Sequence, residues 1–237
     1  MKILNVLSSS IDILKRKGII HVITSIFYSL SFFIFYKKIK RQNTFLFRGN
    51  KYYYFCSLPN STWLNERSVE IPIVMEMVKK YHCRRILEIG NVLSNYLSFE
   101  HDIVDKYEIK SGIINQDVTE FKSTEKYDLI VSISTLEHVG WDETLRDDMK
   151  IPRAIENLKS LVRPEGGLII VTLPIGYNLA MDRLLEERII QFTEQYHLVR
   201  LSKGNEWKEV SWKVVQGAKY GSPFPAANGL VVGIIKT

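Results

Sequence analysis

The stretch RRILEIGNVLSN, residues 84 to 95, constrains the fold of this chain more than any other part of the sequence. It contains a short apolar run, interrupted by Glu88 and followed by Gly90, a pattern typical of a buried strand that leads into a turn. Glycine has no Cβ, so it tolerates positive φ and lets a ligand come close to the backbone. Ser94 or Asn95 is placed to cap a short helix beside the same turn. The stretch therefore predicts a strand, a turn and a helix start around a binding site.

Further apolar runs have the composition of strands and cover residues 101–105, 112–117, 127–138 and 168–173. Because these runs show little alternation, they predict a parallel sheet with helices on both faces. Ligands of such sheets bind beyond the carboxyl ends of the strands. Gly90, Asp105, Asp117 and the segment from Ser134 to His138 are therefore expected to meet in one site.

Helices are predicted over 62–81, 142–161 and 178–196, and closing strands over 209–215 and 230–235. Pro72 predicts a kink or restart in the first helix, and Pro152 a break in the second. The NERS cluster at 65–68 either reaches the site or serves capping and surface pairing. The connection from residue 105 to 112 is too short for a crossover helix, so one helix of the expected fold must be shortened or missing.

Together these segments resemble the class I S-adenosylmethionine-dependent methyltransferases of the type 11-like, small-molecule branch. ILEIGN is similar to the first-strand motif of that family, IVDKYE to the second, and INQDVTEF to the third. YDLIVSISTLEHV and LVRPEGGLIIVTLP resemble the fourth and fifth strands and are the most specific parts. The resemblance covers about residues 62 to 237. It implies an α/β, Rossmann-like, doubly wound and mostly parallel sheet, and an enzyme with S-adenosyl-L-methionine as its cofactor.

The resemblance also implies a set of cofactor-binding residues, namely Glu88, Gly90, Asn91, Ser94, Asp105, Lys106, Asp117, Val118 and Ser134. Asp105 would accept from the ribose hydroxyls and Asp117 from the adenine amino group, roles that suit ionised acids because these only accept hydrogen bonds. Glu88 stands where the family keeps an acid near the methionine end of the cofactor. A strand-end carboxylate equally serves to satisfy the amides of the next loop, and both interpretations of Glu88 stay open here.

The loop after the first strand departs from the family pattern. In place of GxGxG the chain has GNVLS, with Gly90 as its single glycine. Either Asn91 and Ser94 replace the missing glycines with side-chain hydrogen bonds, or cofactor binding is weakened or lost. The second outcome would leave a non-catalytic protein of the same fold, acting as a membrane-linked interaction module.

His138 is the candidate catalytic base, because a hydroxyl acceptor must lose its proton and the ordinary pKa of histidine suits that task. Trp141, Tyr177 and Asn178 are candidate acceptor-binding residues. Packing or turn formation would explain the same residues without a role in the reaction. The predicted reaction is O-methylation of a small-molecule or glycan-like acceptor, with no metal cluster of credible spacing in the sequence.

Charge and motifs disfavour several other classes of protein. The sequence has neither GxGxxG nor a Walker loop, which disfavours a dinucleotide-dependent oxidoreductase and an NTPase. Residues 1–51 carry a charge of +9 and the remainder −3, so the body lacks the basic surface of a nucleic-acid-binding protein. The fourth strand is not followed by the Asn-Pro-Pro-Tyr type motif of nucleic-acid amino methyltransferases, which disfavours base methylation.

Residues 1–51 are predicted to form a hydrophobic, basic N-terminal helical arm, and residues 52–237 the methyltransferase-like domain. The apolar run 19–36 lies between two basic clusters, which favours a helix on an anionic membrane surface. A transmembrane helix and a helix packed on the body are the alternatives. The aromatic segment 43–59 is expected to be a packing strap rather than a sugar-stacking platform. Two cysteines without metal spacing predict a reduced, cytoplasmic setting. The basic arm allows a peripheral location at the inner membrane face, and the oligomeric state stays open.

Overall fold

One seven-stranded sheet forms the centre of residues 43–237, the part of the chain that the computed structural model describes. A two-stranded hairpin precedes it, made of β1 (Thr44–Phe47) and β2 (Asn50–Tyr53). The strands of the large sheet are β3 (Ile86–Ile89), β4 (Asp102–Val104), β5 (Leu129–Ile133), β6 (Leu168–Pro174), β7 (Glu194–Arg200), β8 (Trp207–Val210) and β9 (Gly229–Lys236).

The strands follow the order β4-β3-β5-β6-β9-β7-β8 across the sheet. The first four are parallel, whereas β9 runs antiparallel between β6 and β7, and β8 runs antiparallel beside β7. From β3 the chain moves outward to β4 and then returns to β5 on the other side of β3. This reversal is the switch point at which such sheets bind ligands. The predicted Rossmann-like, mostly parallel sheet is confirmed.

Helices cover both faces of this sheet. They are α1 (Arg67–Lys80), α2 (Lys150–Leu161), α3 (Leu179–Glu186) and the one-turn α4 (Trp212–Val215). One apolar cluster joins α1 and the hairpin to the sheet, and a second joins α2 and α3 to it. Every residue of β3, β5 and β6 is buried, as expected for strands that are covered on both sides.

The first predicted helix begins later than its pattern indicated but passes through its proline. A 3-10 segment, Pro59–Leu64, precedes α1, which then runs through Pro72 as one helix. A proline inside a helix leaves the carbonyl four residues earlier without its N–H partner. Here that carbonyl belongs to Ser68, and it accepts a hydrogen bond of 2.8 Å from the N–H of Phe55. The segment after the hairpin thus supplies the missing bond, so the helix needs no restart.

The second predicted helix, 142–161, is wrong in its first half, because α2 begins only at Lys150. Pro152 therefore lies in the first turn and does not break the helix. The N–H groups of a first turn have no partner within the helix, so a proline there removes no hydrogen bond.

The predicted helix over 178–196 and the strand over 209–215 are each wrong in their second half. The helix ends at Glu186, since Arg188 adopts a φ of 58°, and residues 194–196 belong to β7. The strand ends at Val210 and the chain continues as α4. At residues 194–196 strand pairing overrides the helical pattern, because β7 lies between β8 and β9.

The predicted strand over 112–117 is also wrong, since only Ile114 pairs with β4, through a single bridge to Val104. The side chain of Asn115 donates to the carbonyls of Asp105 and Lys106 and so competes with strand pairing. No helix lies between β4 and β5, which confirms the missing crossover helix. After β3 there is only the 3-10 turn Leu93–Asn95. The prediction that Ser94 or Asn95 caps a helix is therefore wrong.

The hairpin packs against the body, as the aromatic segment predicted. Phe47 contacts Tyr196 of β7 with ring centroids 5.3 Å apart, and Arg48 pairs with Glu194 at 3.0 Å. Residue 51, at which the sequence analysis placed the domain boundary, lies inside β2. The predictions for residues 1–42 lie outside the described residues. Within residues 43–237, none of the helices has the length and apolar character needed to span a membrane.

Candidate functional site

A pocket of about 270 Å³ lies beyond the carboxyl ends of β3, β4 and β5, at the switch point of the sheet. It brings together most of the residues predicted from the sequence, namely Gly90, Asn91, Asp105, Lys106, Asp117, Val118 and His138. Thr135, Gln116 and Glu143 also line it. Three further predicted residues, Glu88, Ser94 and Ser134, are not part of its lining.

Gly90 lines the pocket at a point where only glycine fits. Its φ is 78°, and a Cβ at this position would lie 2.3 Å from Oγ1 of Thr135. Its N–H donates to the carbonyl of Val104 at 2.8 Å, so the turn is fixed to β4. The turn therefore brings bare backbone to the pocket, as the sequence predicted.

Side-chain hydrogen bonds hold the loop that follows Gly90. Asn91 donates to Glu108 at 2.8 Å, Ser94 donates to Asn91, and Asn95 donates to the carbonyl of Asn91 at 2.6 Å. These bonds stand where the resembled family has further glycines. The side-chain hydrogen bonds that the first alternative for this loop requires are therefore present.

Glu88 is buried beneath the same loop and holds it through both carboxylate oxygens. Oε1 accepts from the N–H groups of Val92 and Leu93 at 2.9 and 2.7 Å, and Oε2 lies 2.7 Å from Nε2 of His101. The side chains of Glu88 and His101 are only 0% and 3% exposed. Glu88 therefore has the loop-holding role that was the alternative to direct cofactor contact.

His101 is a residue that sequence analysis missed. Burial lowers its pKa, but hydrogen bonding and attraction by Glu88 outweigh burial and raise the pKa above its ordinary value. Its ring stacks on Phe99 with centroids 4.1 Å apart. No sequence pattern marks this pair, because Glu88 and His101 meet only through the pairing of β3 with β4.

Asp105 begins the turn after β4 and keeps one oxygen for a ligand. Its Oδ1 accepts from the N–H groups of Tyr107 and Glu108, each at 2.8 Å. In the part of the chain that the structure describes, Oδ2 accepts no hydrogen bond. That oxygen is available to ligand hydroxyl groups at the pocket.

Asp117 is the centre of an ion cluster that uses all of its acceptor positions. Oδ1 accepts from the N–H and the hydroxyl of Thr119, and Oδ2 pairs with Lys106 at 2.9 Å and Lys150 at 2.7 Å. The same two lysines bind Glu143. Burial opposes the effect, but hydrogen bonds from Lys150, Thr119 and Lys106 hold the pKa of Asp117 well below its usual range. Lys150 and Glu143 come from distant segments and could not be assigned from sequence spacing.

His138 lines the pocket and is oriented by Asp142. Its Nδ1 lies 2.5 Å from Oδ2 of Asp142, and the hydroxyl of Tyr177 donates to the same oxygen at 2.7 Å. Partial burial opposes the effect, but the hydrogen bonds from Tyr177 and His138 lower the pKa of Asp142, which is therefore ionised. Because a carboxylate only accepts, we assign a proton to Nδ1, and Nε2 is then the ring nitrogen that can accept a proton.

A second polar group lies beyond the ends of β5 and β6, around α1. Glu70 is fully buried, accepts from the hydroxyls of Ser134 and Thr172, and pairs with Arg67 at 2.6 Å. Ser134, predicted to bind the cofactor, is thus directed to this group. Glu66 is buried beside it, so the start of α1 serves more than surface pairing.

Of the predicted acceptor-binding residues, Tyr177 packs its ring against that of His138, with centroids 4.7 Å apart, and Trp141 donates its backbone N–H to the carbonyl of His138 at 3.1 Å. Asn178 is buried and caps α3, since its side-chain oxygen accepts from the N–H groups of Ala180 and Met181, each at 3.0 Å. Trp141 borders a separate cavity beside α3 and lies 4.2 Å from the guanidinium of Arg146. None of these three residues is in the lining of the pocket at the switch point.

Several solved structures are similar in fold. The N-methyltransferase NodS from Bradyrhizobium japonicum, in complex with S-adenosylhomocysteine, is 15% identical, with 71% of this chain and 85% of that chain covered and a TM-score of 0.45. An S-adenosylmethionine-dependent methyltransferase from Clostridium acetobutylicum is 10% identical over 69% and 89% of the two chains, with a TM-score of 0.37. The sugar N-methyltransferase KedS8 from Streptoalloteichus is 11% identical over 72% and 88%, with a TM-score of 0.38.

The sequence matches no protein-family model and no curated protein sequence.

Replacing Gly90 by alanine is expected to lower the free energy of unfolding by about 2–4 kcal/mol, since backbone strain and crowding add. Gly112→Ala is the matched control. Its φ is 85° and a Cβ there would meet nothing within 4 Å, so strain alone costs about 1–2 kcal/mol. Chemical denaturation measures both losses. Equal losses would show that the contact with Thr135 has no effect.

The variant His101→Gln is expected to remove a pH dependence of stability that the natural chain shows. Because the folded-state pKa of His101 is raised, its protonation stabilises the fold fully below the unfolded pKa of about 6.5. This contribution is lost as the pH rises through the folded-state pKa. Denaturation midpoints over this pH range measure it, with the exposed His82→Gln as control. The prediction fails if His101→Gln keeps the natural pH profile.

Proposed function

We propose that this protein is an S-adenosylmethionine-dependent methyltransferase that acts on a small polar acceptor. One observation carries the proposal: the pocket at the switch point is bordered both by the Gly90 turn with Asp105 and by His138, whose ring is hydrogen-bonded to Asp142 outside the lining. The first part suits a nucleoside ligand, and the second suits removal of a proton from an acceptor.

The pocket residues fit this cofactor at three points. Gly90 lines the pocket with its backbone, and its missing Cβ leaves room for the side chain of Thr135, which lines the same pocket. Oδ2 of Asp105 is placed to accept from ribose hydroxyls. Val104, Val118 and Val139 give the pocket the apolar walls that a base requires. When bound, S-adenosyl-L-methionine supplies an electrophilic methyl group on a sulfonium.

Asp117 fits the predicted adenine role poorly, because an adenine amino group would have to displace one of its lysines. Gln116 lines the same pocket, and its side-chain oxygen is an acceptor that suits the amino group. In our proposal Gln116 recognises adenine, while Asp117 keeps Lys106 and Lys150 in place at the rim.

The chain contributes to methyl transfer mainly by positioning, since an in-line displacement needs the acceptor held in one orientation. Nε2 of His138 accepts the proton of the acceptor's hydroxyl or amino group. Asp142 fixes the tautomer of His138 and stabilises the charged ring, as the acid of a histidine–aspartate pair does. Tyr177 donates to the same oxygen of Asp142 and so fixes the orientation of the acid.

The finer parts of the proposal come from the sequence. A glycan-like acceptor, reached at an anionic membrane surface through the basic residues 1–51, stays a prediction, as does a cytoplasmic location. The alternative, a non-catalytic interaction module of the same fold, was motivated by the single glycine of the loop. The hydrogen bonds of Asn91 and Ser94 remove much of that motive.

The full chain is expected to bind S-adenosylhomocysteine, and Asp105→Ala to weaken that binding roughly tenfold to a hundredfold, because the loss of a charged acceptor costs about 1.5–3 kcal/mol. Asp105→Asn removes the charge but keeps an oxygen that can accept from the N–H groups of Tyr107 and Glu108. It therefore separates the effect of the charge from the effect of losing the turn. Asp148→Ala, at an exposed position, is the control. Isothermal titration measures all four proteins. A folded natural chain that does not bind would sink the proposal and favour the interaction module.

The variant Asp142→Asn is expected to disturb the tautomer of His138, because an amide can donate to Nδ1 where the carboxylate could only accept. Nitrogen NMR of the imidazole ring reads the tautomer without any acceptor. Methyl transfer should fall by about 10²–10⁴-fold while S-adenosylhomocysteine affinity is kept. An unchanged tautomer and rate would exclude Asp142 as the residue that orients His138.

A further inference from the structure

Three glutamates and one arginine lie together next to the turn that carries His138. Glu66, Glu70 and Glu137, called the glutamate cluster below, are only 6%, 0% and 2% exposed. Arg67 pairs with Glu70 at 2.6 Å. Because α1 is fixed to the ends of β5 and β6, this cluster lies at the carboxyl edge of the sheet, beside the cofactor pocket.

Glu137 differs from the rest of the cluster, because half of its carboxylate is unused. Its Oε1 lies 3.6 Å from Nε2 of His138. Its Oε2 is buried and has no hydrogen-bond partner among residues 43–237. A buried polar atom without a partner costs free energy, which a donor group on a ligand would recover.

Two tyrosines extend this surface. Burial and the charges of Glu66 and Glu137 raise the pKa of Tyr220 to about 12, so its hydroxyl lies within the field of the cluster. The rings of Tyr220 and Tyr177 meet edge to face with centroids 5.2 Å apart, and Tyr177 contacts His138. The glutamate cluster, the two rings and His138 therefore form one continuous group.

The charge balance of this group favours a cation. Arg67 compensates Glu70, whereas no lysine or arginine of the described chain forms an ion pair with Glu66 or Glu137. Burial, together with the nearby charge of Glu70, raises the pKa of Glu66, and burial raises that of Glu137. A cation beside these acids would stabilise their ionised forms, whereas an anionic acceptor would disfavour those forms.

We infer that the acceptor is an amine, bound in its protonated form with the ammonium group between Glu137 and His138 and with Tyr177 and Tyr220 beside it. The inference rests on the proposed function, since it assigns the acceptor of the same site. An ammonium group offers three donors, one of which suits the unpartnered Oε2 of Glu137. Aromatic rings add attraction for a cation. The acceptor atom is then nitrogen, not the hydroxyl oxygen that the sequence favoured.

The amine must lose one proton before its nitrogen is nucleophilic. Nε2 of His138 takes that proton: an N–H bond of the ammonium breaks, its electron pair stays on nitrogen, and the imidazole becomes an imidazolium. Total charge is unchanged, because the positive charge moves from the amine to the ring. Asp142 and Glu137 lie on the two sides of that ring, at Nδ1 and Nε2, and stabilise it.

The test compares amines with alcohols of the same skeleton on the full chain. Benzylamine with benzyl alcohol, and glucosamine with glucose, are titrated into the complex with S-adenosylhomocysteine and then offered with labelled S-adenosylmethionine. We expect each amine to bind roughly tenfold or more tightly than its alcohol, and the amines to be methylated.

Variants of Glu137 test the role of its charge. Glu137→Gln keeps the shape of the side chain, so amine affinity should fall roughly tenfold or more while S-adenosylhomocysteine affinity is kept. Glu137→Asp should recover part of the amine affinity. Glu165→Gln, at an exposed turn position, is the matched control and should change neither affinity.

The outcomes separate the inference from the proposed function. If S-adenosylhomocysteine does not bind, both are overturned. If it binds, then failure of both amines to bind, preference for the alcohols, or unchanged amine affinity in Glu137→Gln overturns the inference alone. Should Glu137→Gln not fold, Glu137→Asp and the comparison of amines with alcohols on the natural chain still decide.

Discussion

The buried carboxylate of Glu70 connects the parts of the molecule on which the fold and the site both depend. It accepts from Ser134 just after β5 and from Thr172 in β6, and it pairs with Arg67 in its own helix. A buried charge is tolerated only where such partners compensate it, and three donors meet that requirement here. α1 is thereby fixed to the ends of two central strands. The turn that carries His138 starts from Ser134, whose φ of 38° directs the chain across the edge of the sheet.

Loops, rather than helices, build the cofactor side of the site. After β3 a 3-10 turn stands where this kind of fold has a helix, and the third parallel strand is reduced to one bridge at Ile114. Glu88 holds the first loop from beneath, with His101 as its partner, and Asn91 holds it from above. Buried polar networks of this kind rigidify a loop only when every member is satisfied, so this part of the pocket depends on a few side chains.

Two carboxylates in opposite environments flank His138. Asp142 is partly exposed and receives hydrogen bonds, so its pKa is lowered and it orients the ring as an anion. Glu137 is buried, so its pKa is raised and it gains most from a cationic ligand. When their environments give two nearby acids different pKa values, the two acids can take different roles in one site. In our proposal, Asp142 orients the base and Glu137 binds the acceptor.

The sequence by itself determined the central strands, the Gly90 turn, the acid at Asp105 and the missing crossover helix, because apolar runs, glycines and connection lengths are local properties of the chain. Only the tertiary structure decided which side chains face the pocket. Ser134 binds Glu70 instead of lining it, and Asp117 is occupied by Lys150, 33 residues away. Strand pairing and helix packing create such contacts between distant segments, and the local sequence pattern of one segment does not predict its contact with another. Burial then shifts the pKa values of the groups that meet.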